Sequence, residues 1–243
     1  MFESPTITFE NGIVGITPRS IEGGPPGMGS PLLLNPRRTA VVVVDVQQYF
    51  LETPPFTAMR EVVAPLVRFL PVARAAGITI VHVKTDFTPG LENAGRQGSR
   101  SRQMMESTRT GLVQGSRTAE IASELTPDPS DVVVTKTRFS GFWASDLDAV
   151  LRARDIDTLI FAGGTTTVCV ESTLRDAMFL EYNALVLSDC TRDISPELHD
   201  SALARIEMFF GWICDSQDLI PALDAVNDTR SVATAKRPSA MTA

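Results

Sequence analysis

Between residues 39 and 215 the chain alternates short apolar runs with stretches of helical periodicity. Runs at 39–46, 78–83, 131–136, 158–163 and 184–189, and a shorter one at 211–215, have the length of buried strands. They are rich in β-branched residues and nearly continuous rather than alternating, as parallel strands covered on both faces are. Helical patterns fall between them, at about 58–76, 117–125, 143–154, 170–182, 196–209 and 216–225. Pro65 and Pro71 in the first of these predict a late start at Pro65 or a kink. The alternation predicts an α/β fold, a doubly wound, mostly parallel six-stranded sheet with helices on both faces.

The flanks read differently. Residues 1–38 are rich in Gly and Pro and predict an arm laid on the body or on a neighbouring subunit. Residues 39–226 then form one domain, and the small, polar residues 227–243 a flexible tail. The apolar stretch "PTITFENGIVGI" in the arm needs a surface to cover it, which predicts a homo-oligomer.

Charge and composition narrow the partners. With 22 basic and 29 acidic residues the net charge is −7, which argues against nucleic acid or an anionic membrane as partner. The longest apolar run is interrupted by Asp45, far short of a membrane span. The N-terminal residues lack a basic and then apolar leader, and the three cysteines show no CxxC spacing, so a reducing cytoplasm is expected.

In a doubly wound sheet, ligands bind beyond the carboxyl ends of the strands. Asp45 ends the first run, Lys136 the third, and Cys169 follows the fourth after the small-residue loop "GGTTT". A free thiol of pKa near 8.5 is roughly 3% thiolate at neutral pH. A helix start and a nearby ammonium would raise that fraction. Asp45, Lys136 and Cys169 therefore make a candidate base, orienting charge and nucleophile. The loop's small residues would let the backbone approach a substrate and aim N–H groups at an oxyanion. Cys190 and Cys214 lie in strand-like segments and read as core. With only His82 and His199 as histidines, no metal site is expected, and His82 reads as structural.

The segments "VVVVDVQQYF" and "KTRFSGFWASDLDAVLRARDIDTLIFAGGTTTVCVESTLRDAMF" resemble the isochorismatase-like cysteine hydrolases over roughly residues 37–225. Matching positions are Asp45 and Gln47, Lys136, Ser140 and Phe142, then Gly163, Thr166, Cys169, Val170, Thr173, Arg175, Asp176 and Ala177. The resemblance implies the three-layer α/β/α fold, an Asp45–Lys136–Cys169 triad, no cofactor, and a homodimer or homotetramer. It places a non-proline cis peptide at Gly164–Thr165 and oxyanion donors at the Thr165 and Cys169 N–H groups. Substrate contacts are expected from Gln47, Phe50, Arg138, Phe142 and Arg192.

Two groups within the family are most similar, ureidoacrylate amidohydrolases and N-carbamoylsarcosine amidohydrolases. Both cleave a carbamoyl C–N bond in a small carboxylate. In the second group an arginine grips that carboxylate, and Ile194 stands at its position here, with Arg192 two residues earlier. Arg192, Arg138, Arg96, Arg100 and Arg102 are the alternatives. The expected function is a cysteine amidohydrolase acting on a small amide or ureido compound. Vinyl-ether hydrolysis of the isochorismatase type, and a non-catalytic binding role, are the other two readings.

Overall fold

The computed structural model describes residues 4–18, 29–100, 102–103, 106 and 111–235, with the side chains of 230–235 left aside. Within the first 38 residues the described part is no extended arm. Strands β1 (Thr6–Glu10), β2 (Ile13–Thr17) and β3 (Leu32–Leu34) form an antiparallel sheet. Asn11 and Gly12 both have positive φ, 51° and 82°, as a two-residue hairpin turn requires. Val14, Ile16, Leu32 and Leu34 are buried in this chain's own core, each burial stabilising by about 1.5–3 kcal/mol. These side chains therefore give no reason for an oligomer, contrary to the expectation from the sequence.

The main sheet has six parallel strands, β4 (Thr39–Val44), β5 (Thr79–Thr85), β6 (Val132–Lys136), β7 (Thr158–Gly164), β8 (Asn183–Arg192) and β9 (Trp212–Cys214). Their order is β6-β5-β4-β7-β8-β9. The chain winds outward from β4 to one edge, returns to β7 on the other side of β4, and winds to the opposite edge. The reversal between β4 and β7 leaves a crevice at their carboxyl ends.

Alternate residues of each strand serve two cores. A short helix, α1 (Gln48–Glu52), follows β4; Val41 and Val43 of β4 face a layer of α2 (Val63–Ala76) and α6 (Ser216–Ala235), on which the β1–β3 sheet lies. Ala40, Val42 and Val44 face α3 (Leu147–Arg152), α4 (Glu171–Phe179) and α5 (Pro196–Phe209). Cys190 and Cys214 are both core residues, as expected. The fold is thus the doubly wound three-layer α/β/α architecture.

Several helical expectations are revised. Residues 117–125 hold only two 3-10 turns, Arg117–Ala119 and Ser123–Leu125. Between them the backbone is drawn straight, because Gln48 N–H bonds to Glu120 O and Ala122 N–H to Val46 O. The pattern at 143–154 yields only α3, since Ala144 takes a positive φ of 50° before it. The pattern at 58–76 divides into a 3-10 stretch, Phe56–Val62, and α2, with Pro65 in the first turn, where its missing N–H costs nothing. At the C-terminus α6 runs to Ala235, past residue 226 where a loose tail was expected; 236–243 lie outside the described residues.

Candidate active site

Four strand ends meet at the crevice. Asp45 follows β4 in the left-handed region, φ 52°, a conformation rare for residues with a side chain and common at functional sites. Its N–H bonds to Val83 O at 2.8 Å. Carboxylate Oδ1 accepts from the Thr85 N–H at 3.0 Å and the Thr85 hydroxyl at 2.8 Å. Oδ2 lies 2.7 Å from Lys136 Nζ.

Strand β5 separates β4 from β6, so Lys136 reaches Asp45 across the end of β5. Thr85 stands in between and bridges them. Lys136 Nζ donates to Thr85 Oγ1 at 2.9 Å, to Arg138 O at 3.0 Å and to Cys169 Sγ at 3.5 Å. Lys136 and Asp45 are both buried, and the carboxylate beside the ammonium helps hold the lysine pKa above its ordinary value despite burial.

Cys169 lies in a π-helical turn, Thr166–Val170, that leads into α4. Such turns are rare and recur at functional sites. The Gly164–Thr165 peptide is cis. The two glycines before the loop answer to the protein's own packing, not to a substrate. At Gly163, with φ 102°, a Cβ would meet the Val44 carbonyl, and at Gly164 it would meet Met59 and the Arg192 carbonyl.

The surroundings of Cys169 work against the thiolate fraction expected from the sequence. Burial pushes Cys169 up to about 12; Lys136 pulls it down, and the Asp45 carboxylate pushes it up again. Lys136 Nζ donates to Sγ at 3.5 Å, and the same ammonium pairs with the Asp45 carboxylate at 2.7 Å. A proton acceptor is thus already beside the thiol.

The expected substrate contacts fare unevenly. Gln47 is fully buried and spends its amide on backbone, donating to Thr85 O at 2.8 Å and Ala119 O at 2.6 Å and accepting from Thr85 N–H at 2.9 Å. It fixes the ends of β4 and β5. Phe50 packs edge-on against Tyr49 and Phe56. Phe142 stacks on Tyr182, on the α4 side of the sheet. Arg138 donates to Asn93 O and Thr137 O, at 3.1 and 2.6 Å, tying loop 86–95 to the strand of Lys136. Arg192 pairs with Glu61 at 2.5 Å. Arg96 and Arg100 are exposed, and Arg102 binds Leu91 O and Glu106. His82 sits within β5, 3.3 Å from Asp131, a carboxylate that Arg74 also binds, and is structural as expected.

Sequence reasoning missed Thr85, Asp193 and Glu171. Glu171 is buried and accepts from both Arg175 and Arg205, clamping α4 to α5. Arg175, one of the motif residues, also lies over the Phe210 ring at 3.9 Å. Its task is helix packing.

Residues 39–218 match the isochorismatase domain. The chain belongs to the isochorismatase family. It is 39% identical over 209 residues to the ureidoacrylate amidohydrolase RutB of Methylobacterium radiotolerans, covering 78% of this chain and 81% of that one. A cysteine hydrolase from Pseudomonas syringae pv. phaseolicola superposes with a TM-score of 0.72 at 31% identity, over 79% of this chain and 95% of its own. The N-carbamoylsarcosine amidase of Thermoplasma acidophilum gives 0.60 at 27%, over 74% and 96%. This chain's identity to ureidoacrylate amidohydrolases over most of its length makes it a hydrolase acting on C–N bonds. Among the described residues no helix is long and apolar enough to cross a membrane.

Proposed function

We propose that this hydrolase cleaves a small ureido or amide compound through a thioester on Cys169. One observation carries the reading: Asp45 Oδ2 and Cys169 Sγ share Lys136 Nζ, at 2.7 and 3.5 Å, in the crevice between β4 and β7. Sγ attacks the carbonyl carbon while its proton passes to Asp45. The N–H groups of Thr165 and Cys169 hold the oxyanion. The intermediate collapses, the C–N bond breaks, and the leaving nitrogen takes the proton from Asp45. Water then attacks the thioester, gives a proton to Asp45, and frees the acid as the thiol is restored. Lys136 keeps its charge throughout and offsets negative charge on sulfur and carboxylate. The test is a screen of ureido acids, carbamates and amides with ammonia detection, paired with mass spectrometry of an acid-quenched reaction. Turnover with no acyl mass on the Cys169 peptide overturns the thioester.

The substrate reading rests on the relatives, a ureidoacrylate amidohydrolase and an N-carbamoylsarcosine amidase. A carboxylate on the substrate needs a cationic partner. Arg192 is the better placed candidate, because its Glu61 partner is exposed and free to swing away, whereas Arg138 is committed to backbone. Arg192→Ala is expected to raise KM for an anionic ureido substrate by roughly 10- to 100-fold and for a neutral amide of equal size by little. Equal effects on both substrates would remove Arg192 from the role and point to an uncharged substrate.

No metal step is needed, since the Lys136 ammonium already occupies the cation's place beside Asp45. Dialysis against a chelator is expected to leave the rate unchanged; a loss restored by zinc would contradict this. The chain is also proposed to work as a homodimer or homotetramer, with Phe179 and Phe209, 68% and 57% exposed, offering an apolar face. Light scattering that returned the 26.3 kDa monomer at micromolar concentration would refute it.

A further inference from the structure

In the turn that carries Cys169, two backbone donors share one acceptor. Val168 N–H and Val170 N–H both bond to the one Thr165 carbonyl, each at 3.2 Å. Further bonds reach it from α4, where the Thr173 hydroxyl donates to Cys169 O at 2.6 Å, from the connection between β8 and α5, and from α5 itself. Asp193 Oδ2 accepts from the Thr167 N–H and from the Thr167 hydroxyl, both at 2.7 Å, while Oδ1 accepts from the Ile194 N–H at 2.8 Å. His199 Nδ1 and the Thr166 hydroxyl share a hydrogen bond of 2.9 Å. Asp193, His199 and Thr166 are all buried. The register shift between β7 and β8 brings Arg192 opposite Gly164, which sets Asp193 alongside the turn.

We propose that Asp193 and His199 are positioning residues that set the Thr165–Cys169 turn so that its N–H groups converge on the oxyanion. The proposal rests on the cysteine-hydrolase reading above. A charged acceptor making two short bonds to one residue outweighs two long bonds shared by a carbonyl. The carboxylate therefore fixes where the Thr167 backbone lies, and with it where the Cys169 N–H, two residues on, points. The thiol contacts Lys136, itself paired with Asp45, whereas the Asp193 carboxylate is engaged by Thr167 and Ile194. Oxyanion binding and thiol reactivity are therefore separable.

The test uses propanal on the full chain. Sγ adds to the aldehyde carbon, and the thiol proton ends on the new hydroxyl; no group leaves. Affinity is read as protection of Cys169 from iodoacetamide, and the alkylation rate without aldehyde reads the thiol alone. Asp193→Asn leaves an amide that meets Thr167 or Ile194 donor to donor. It is expected to weaken aldehyde binding by about 10- to 100-fold, below the 10²–10³ seen when a donor is removed outright, with alkylation within twofold of the parent. His199→Leu should act likewise, and His199→Asn, whose amide stands near Nδ1, should restore most of the loss. Thr167→Val, which keeps the N–H bond, covers the case in which Asp193→Asn does not fold, and should lose roughly three- to tenfold. Unchanged aldehyde affinity overturns the proposal. So does alkylation falling in step with aldehyde affinity, which would mean the nucleophile itself had moved. Failure of the parent protein to form any adduct at Cys169 sinks the thioester reading, and the bracing role with it.

Discussion

Cys169→Ala and Cys169→Ser are each expected to cut turnover by about 10³-fold or more while the fold survives. Survival follows from the packing. Without the thiol, Lys136 keeps Asp45, Thr85 Oγ1 and the Arg138 carbonyl as partners, so no buried charge is orphaned. Circular dichroism and a thermal midpoint near the parent's establish that the variant is folded, and product formation then gives the loss. Near-normal turnover in the alanine variant, with contamination excluded, would end the thioester mechanism. It would favour the vinyl-ether chemistry of isochorismatase itself, which needs the acid and not the thiol.

Asp45→Asn strikes both chemistry and stability. Thr85 can still donate to the amide oxygen, but the amide nitrogen then faces the Lys136 ammonium, donor to donor. Breaking a buried pair from one side costs about 3–5 kcal/mol, because the remaining charge is uncompensated. Losing a general base costs about 10²–10⁴ in rate. Denaturant melts and rates on the same preparation measure both. Removing the two charges together, as Asp45→Leu with Lys136→Met, should regain much of the stability and none of the activity. If the single variant kept parent stability, the pair would not be the buried, mutually dependent unit described here.

The strands of the main sheet were legible because parallel strands buried on both faces leave continuous β-branched runs, and each of these six lies within three residues of its run. Asp45, Lys136 and Cys169 were legible because strand ends in a doubly wound sheet converge. Thr85 was not, since a threonine ending an edge-side strand looks like any other until the lysine is seen to cross above it. Asp193 likewise gains its meaning only from a register shift that no local pattern announces. The thiol was misjudged because proximity to a lysine can be inferred from spacing, whereas desolvation depends on everything packed around the group. The hairpin at Asn11–Gly12 carried the strongest short turn signal available, and the Gly- and Pro-rich residues after it obscured it. At 117–125 a helix was expected where backbone hydrogen bonds to another segment draw the chain straight.

The packing of β1 and β2 on α6 has a bearing on synthesis. Val14 and Ile16 share a core cluster with Leu219 and Leu223, roughly 200 residues further along the chain. At about 5–20 residues per second the first hairpin waits some 10–40 s on the ribosome before its covering helix emerges. During that interval its apolar face has no native partner on that side, and long-range closure of this kind slows folding. The nascent chain therefore exposes this apolar face until α6 is made, and truncation before residue 216 is expected to yield insoluble protein even with every active-site residue present.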